Sequence, residues 1–406
     1  MKYCFFIIKK RAAYFNIEKI LKGSNTRFIL IAPEGNLIDA DFKKNMHSCH
    51  IVKDFNLEEC IKLIKKETKC NNLKDKAVIV CTDEALLMTA AKIREYFNIK
   101  GARPYQYVSF KNKRIMKQIL TSSGIKTPKF IDFDGVNTIN NLKDYHEYIN
   151  SILDGALYLV KPLASGSSIG VAIIKNYLDL KKWYLKYFDP NDEYGIDEFI
   201  PGEMYHCDSF SLNGKIKFVS VYKYLYPNLD FLSGKPLGSA PLNKASKLYK
   251  NIIEFNRKTL KALRPPNGAT HLELMINKKN DITFIEIGSR PPGASIVGSI
   301  EKNYGINLYE LTLRNELGLE LNFKPKENLY HGWVYLSTYP GTVRSLNVPK
   351  LRSKMDITWL IKPKDKIKKS PSSVMDGISA KLDIYNPKYN DLLKDCELLK
   401  EHKPYR

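Results

Sequence analysis

Three apolar runs in the first part of the chain show no alternation: Tyr3–Ile8, Arg27–Ala32 and Ala77–Cys81. A strand with one wet face alternates, whereas an uninterrupted run of this length belongs to a strand covered on both faces, as in a parallel sheet. Between the runs, Leu57–Lys66 places Leu57, Ile61 and Ile64 on one helical stripe. Ala85–Phe97 reads as a second helix, ending near Asn98 with Gly101 beyond it. The βαβ rhythm predicts a small doubly wound parallel sheet over residues 1–103.

From Ser109 the pattern changes. Lys113–Ser123 is a basic helix ended by Gly124 and Pro128. Tyr158–Lys161, a small-residue loop and Val171–Ile174 then read as strand–loop–strand, unlike the strand–loop–helix that opens a Rossmann domain. Ile196–Ile200, Phe218–Tyr224, Thr270–Ile276 and Ile282–Ile287 are further strands, and Leu248–Leu263 is a long helix. The chain is therefore α/β at its start and α+β afterwards. Divisions are expected at 104–200, 201–329 and 330–406, the last a strand-rich tail ending in a helix near Asn390–Leu399.

Composition excludes more than it selects. A length of 406 residues suggests about two or three domains. Hydrophobic and charged fractions of 44% and 27% exclude a disordered, collagenous or coiled-coil chain. No apolar run approaches the roughly 18 residues that span a bilayer. Only Lys2 precedes the first run as a charge and no small-residue cleavage site follows it, so it does not read as a signal peptide. The net charge of +22 fits anionic partners or simply lysine-rich codon usage, because the basic residues are spread along the chain. The seven cysteines form no C-x-x-C, and Cys49-His50 has no second half at zinc spacing. They read as reduced packing residues of a cytoplasmic protein.

Three segments carry chemistry. Glu273 and Glu286 lie on two β runs joined by the polar segment 277–281, with the midpoint between them inside that turn. A symmetric hairpin sets them face to face, and facing like charges are destabilising without a cation between them. Either a divalent ion with oxygen ligands sits there, or one Glu is taken up by Arg290 or Lys161 as a structural salt bridge. Lys161 leads into Ser165-Gly166-Ser167-Ser168, whose backbone N–H groups and hydroxyls can cradle phosphate oxygens as a hairpin flap. The strand end Asp197-Glu198-Phe199-Ile200-Pro201-Gly202-Glu203 offers main-chain groups to a purine edge and carboxylates to ribose hydroxyls.

In this order the segments resemble the ATP-grasp superfamily of carboxylate–amine ligases, over roughly Gly101–Gly305. Asn112-Lys113-Arg114-Ile115-Met116-Lys117 with Gly124–Pro128 is similar to the family's opening helix, and Leu159–Pro162 to its second lysine strand and flap. Asp197–Glu203 is similar to its adenine hinge. His271-Leu272-Glu273 and Glu286-Ile287-Gly288-Ser289-Arg290-Pro291-Pro292-Gly293 are similar to its metal strands. The resemblance implies an ATP-grasp fold with a lid subdomain and phosphate flap over 104–200 and a metal-bearing subdomain over 201–329. It implies ATP phosphates on Lys113, Lys161 and Ser165 to Ser168, including Gly166. Adenine would meet the main chain of Glu198, Phe199 and Ile200, and ribose Glu203. Mg²⁺, or Mn²⁺ in its place, would sit on Glu273 and Glu286, with Arg290 and Lys161 as catalytic cations. Gly288 stands where the family usually has an Asn ligand.

The implied reaction activates a carboxylate as an acyl phosphate and joins it to an amine, as in amino-acid and dipeptide ligases. The alternatives are carboxylation through carboxyphosphate, against which the missing A-M-K-M biotinyl motif counts, and a non-catalytic ATP-binding module. A nucleic-acid-binding protein is a further class; Tyr222–Tyr226 could stack bases, yet no nucleic-acid module is recognisable and strand alternation explains the tyrosines. The implied partners are small-molecule carboxylates and amines, with no membrane, no nucleic acid and a homodimer as the assembly. His271 is expected to pack or hydrogen-bond beside Glu273, and 226–243 with Gly293–Gly298 to shape the acceptor pocket.

Overall fold

The computed structural model describes residues 2–9, 25–35, 40–133, 141–163, 170–325, 329–368, 371, 373–374 and 376–406. The first unit is a four-stranded parallel sheet. Its elements are β1 (Lys2–Ile7), β2 (Thr26–Pro33), α1 (Ala40–Lys44), β3 (Ser48–Val52), α2 (Leu57–Thr68), β4 (Ala77–Val80) and α3 (Leu87–Tyr96), with strand order β3-β2-β1-β4. Both faces are covered, as the uninterrupted runs require. Phe5, Ile7, Ile29 and Ile79 pack on α2 and α3. Cys4, Phe6, Phe28, Leu30 and Val80 face the other way, where Leu313 from far along the chain joins them.

Two short helices follow, α4 (Pro104–Lys111) and α5 (Lys113–Ser122). The next sheet is antiparallel: β5 (Phe130–Phe133), α6 (Leu142–Ile152), β6 (Tyr158–Pro162), β7 (Ala172–Ile174), α7 (Tyr177–Tyr187) and β8 (Tyr194–Glu198), in the order β5-β8-β6-β7. Its core of Phe133, Ile149, Tyr158, Val160, Trp183 and Ile196 is separate from the others.

The largest sheet takes in β9 (Glu203–Leu212), β10 (Lys215–Tyr224), β11 (Leu237–Pro241), α8 (Lys247–Leu263), β12 (Gly268–Ile276), β13 (Ile282–Gly288), α9 (Ile296–Tyr304) and α10 (Leu308–Leu317). The remainder is β14 (Tyr330–Ser337), β15 (Gly341–Thr342), β16 (Lys354–Trp359), β17 (Lys366–Ile367), β18 (Ile378–Asn386) and α11 (Tyr389–Lys400). The eight-stranded order β13-β12-β9-β10-β11-β14-β18-β16 runs through both the 201–329 and 330–406 intervals, so the tail strands extend the sheet that carries Glu273 and Glu286. One face packs on α5 and α8 through Met116, Leu120, Ile252, Leu272 and Phe284. The other packs on α9 and α10 through Phe210, Tyr222, Ile300, Leu311 and Trp333.

α10 binds the first unit to the rest. Arg94 on α3, 1% exposed, donates to the Ile79 carbonyl at 2.8 Å and to Glu316 Oε1 on α10 at 3.0 Å. Burial raises the Glu316 pKa while Arg94 opposes the rise. Removing one partner of such a pair leaves an uncompensated buried charge. Arg94→Ala and Glu316→Gln should therefore each destabilise the chain by about 3–5 kcal/mol in equilibrium denaturation.

Candidate active site

The β12–β13 turn is organised by Asn277, whose side-chain oxygen accepts from the Lys279 and Asp281 N–H groups. From the turn the register runs Ile276↔Ile282, Met275↔Thr283 and Leu274↔Phe284. It then shifts, so that Glu273 faces Glu286 and Ile285 is left as an extra residue on β13. Without this bulge the turn's register would set Glu273 against Ile285. The bulge is thus what brings the carboxylates opposite each other, the usual service of a bulge beside a site. Symmetric spacing anticipates the facing pair but not the device that produces it.

Glu273 is distinguished by the crowding of one oxygen. Its Oε1 accepts from Asn228 Nδ2 at 2.9 Å, Tyr224 OH at 3.0 Å and His271 Nε2 at 3.3 Å. No hydrogen bond reaches Oε2 among the described residues. Burial works against the charge on Glu273, but the bond to His271 and its charge outweigh this and hold the carboxyl below the usual range. Glu286 is more open, with Lys113 Nζ 3.3 Å from its Oε1. Two facing carboxylates with an unengaged oxygen form a hard donor set that fits a divalent cation. The alternative salt bridge with Arg290 or Lys161 does not form, because both cations sit on other carboxylates.

Lys113 opens α5. Asn112 caps that helix, its side-chain oxygen accepting from the Arg114 and Ile115 N–H groups at 3.0 Å. Two cations in the first turn with no acidic residue oppose the helix dipole, so local helix stability does not explain them. One turn on, Lys117 and, from β6, Lys161 each bind a different oxygen of Asp197 on β8. Lys117 and Asp197 are buried, and Lys117 also lies over the Phe130 ring, 4.6 Å from its centre. Burial, with help from neighbouring Lys161, pulls the Lys117 pKa down to about 7 against the attraction of Asp197. For Lys161, burial is outweighed by Asp197 and Glu286, and its pKa rises. The opening-helix and hinge motifs contain Lys117 and Asp197 but do not foretell their ion pair; the four-residue spacing from Lys113 is the available signal for Lys117.

The hinge spends part of its main chain on structure. The Glu198 and Phe199 N–H groups donate to the Lys129 and Leu157 carbonyls at 2.9 and 2.8 Å, whereas Ile200 N–H makes no such backbone bond among the described residues. Glu198 Oε2 accepts from Lys129 N at 3.1 Å. Gly202 has φ of +153°, and a Cβ there would stand 2.4 Å from the Ile276 carbonyl oxygen, so only glycine lets the hinge cross β12. Glu203 accepts from Lys223 at 2.5 Å and Tyr205 OH at 2.9 Å. Arg290 pairs with Glu84, a residue sequence reading passed over, at 2.9 Å from Nε and 2.8 Å from an Nη atom. Ser165, Gly166, Ser167 and Ser168 lie outside the described residues; the strands that flank them, β6 and β7, pair antiparallel. Gly288 faces His271.

No model of a known protein family matches the chain. It is 27% identical over 310 residues to an L-arginine-specific L-amino acid ligase of Bacillus subtilis, covering 73% of each chain. It is 27% identical over 221 residues to a D-alanine–D-alanine ligase of Carboxydothermus hydrogenoformans, covering 52% of this chain and 69% of the relative. The structure of an L-amino acid ligase from Bacillus licheniformis superposes with a TM-score of 0.73 at 18% identity, over 98% of this chain and 97% of the other. The fold is ATP-grasp. The chain is an ATP-dependent ligase of the carboxylate–amine class, which forms C–N bonds.

Asp197 supplies a pH test. Burial raises its pKa, but Lys161 and Lys117 together hold it below the usual 3.8. A depressed carboxyl stabilises the fold fully above pH 3.8 and loses that contribution as pH falls through its lowered value. Asp197→Asn should cost about 3–5 kcal/mol at pH 7. The deficit should shrink on acidification toward pH 3, as followed by chemical denaturation.

Proposed function

We propose that the chain joins the carboxyl group of one amino acid to the amine of a second, with ATP as the energy source and the facing glutamates as its cation site. The observation that carries this reading is the Glu273–Glu286 pair with Lys113 beside it and Lys161 nearby. In this reading Glu273 and Glu286 hold Mg²⁺, or Mn²⁺ in its place. When bound, the cation neutralises charge on the transferring phosphoryl group.

Lys113 and Lys161 meet the nucleotide phosphates, and residues 165–168 cover them. A purine edge takes the Ile200 N–H, the hinge donor that backbone pairing leaves over, and the main chain of Glu198 and Phe199 just before it completes the contact. Ribose competes with Lys223 and Tyr205 for Glu203. A carboxylate oxygen of the first substrate attacks the γ-phosphorus and the bond to ADP breaks. The amine then attacks the acyl carbon and phosphate leaves, the amine's surplus proton passing to phosphate or water. Arg290, once drawn from Glu84, stabilises the charge on the phosphoryl group or the acyl phosphate. Acyl phosphates hydrolyse readily, so the cover over the phosphates also serves to exclude water.

The likeness to amino-acid ligases supports amino acids as the substrate class. The test is a phosphate-release screen from Mg-ATP with amino acids singly and in pairs, with mass spectrometry of the products. Release is expected only with a suitable acid and amine together. Glu286→Gln should lower it by roughly two to three orders of magnitude, because the cation that offsets the phosphoryl charge would lose a charged ligand. Unchanged turnover in that variant would remove Glu286 from the cation site.

A further inference from the structure

On the α9 and α10 face of the large sheet lies a run of buried polar groups in an otherwise apolar layer. Strand register sets Asp208 opposite His271 and His206 opposite Glu273. His206 Nε2 meets Ser239 Oγ at 2.9 Å, and its Nδ1 donates to Asp208 Oδ2 at 2.7 Å. Asp208 Oδ1 in turn accepts from His271 Nδ1 at 2.6 Å, and His271 Nε2 reaches Glu273 Oε1 at 3.3 Å. His206, Asp208 and Ser239 have no exposed surface, and the His206 ring stacks on Tyr222 at 5.1 Å.

From this geometry we infer that Asp208 and His271 form a positioning pair that turns Glu273 so that one oxygen is saturated and the other is left for the cation. The inference rests on the reading of Glu273 as a cation ligand. His271 lies between two carboxylates, so each ring nitrogen serves as a donor and the ring plane is fixed at both edges. Asp208 cannot rotate away, because His206 holds its second oxygen and Ser239 holds His206. The chain of bonds therefore ends on Glu273 Oε1, joined there by Tyr224 and Asn228. Core stability alone gives little reason for this arrangement, since well-packed apolar residues in place of buried ionic networks are often neutral or stabilising. Outer partners that orient a ligating side chain typically matter about 10–100-fold in metal affinity.

The histidine's two nitrogens allow the role to be dissected. In His271→Asn the shorter amide can keep the bond to Asp208 but cannot reach Glu273; in His271→Gln the longer amide reaches Glu273. Mn²⁺ binding to the full chain with a non-hydrolysable ATP analogue, followed by electron paramagnetic resonance, is the readout. His271→Asn should weaken Mn²⁺ by about 10–100-fold, with His271→Gln retaining most of the affinity. Should His271→Asn fail to fold, Asp208→Asn should show a loss of the same order. Equal losses in the Asn and Gln variants, or none in either, would overturn the positioning role while Glu273→Gln still abolishes binding. Unchanged Mn²⁺ affinity in Glu273→Gln would instead overturn the cation reading beneath it.

Discussion

Two carboxylates set opposite each other across a β-ladder repel, and the surroundings of Glu273 and Glu286 are arranged around that repulsion. The bulge at Ile285 creates it by shifting the register one residue. Three donors collect on one oxygen of Glu273, and Lys113 approaches Glu286 from the start of α5. Each contact draws negative charge away from the gap without filling it. The pair is therefore tolerated in the free protein while keeping an affinity for a stronger positive charge.

A second balance lies beside the first. Asp197 holds two lysines from different layers: Lys117 from the helix under the large sheet and Lys161 from the neighbouring four-stranded sheet. One carboxylate between two ammonium groups leaves an excess of positive charge, which burial counters by favouring the neutral form of Lys117. An incoming polyphosphate would relieve it. Acidic and basic surpluses are thus adjacent, one suited to a cation and the other to the anion that carries it.

Legibility in the sequence followed hydropathy. β1, β2 and β4 are uniformly apolar because both of their faces are covered, and their runs declare the parallel sheet. The facing glutamates and the strand–loop–strand around residues 164–169 were visible from spacing. β9 was not, although it is an interior strand of the largest sheet. It buries His206, Asp208, Ser209 and Ser211, so apolar patterning fails along a strand where His206 and Asp208 bond each other and find further partners on β11 and β12, and Ser209 finds one on α8. Glu84 was hidden for a similar reason. Its partner Arg290 is 206 positions away, and only the packing of the parallel sheet against the larger one unites them.

Ser239, the far end of the bond chain that reaches Glu273, sits on β11, directly opposite Trp333 of β14. β14 is in turn the strand through which β18 and β16 join the sheet. Deleting a single residue within β14 would move Trp333 and Tyr335 from the α9 and α10 face to the α11 face, since strand side chains alternate. The misfit would pass first to β11 and then to the serine that steadies His206. Length changes in β14 should accordingly be felt at the glutamates.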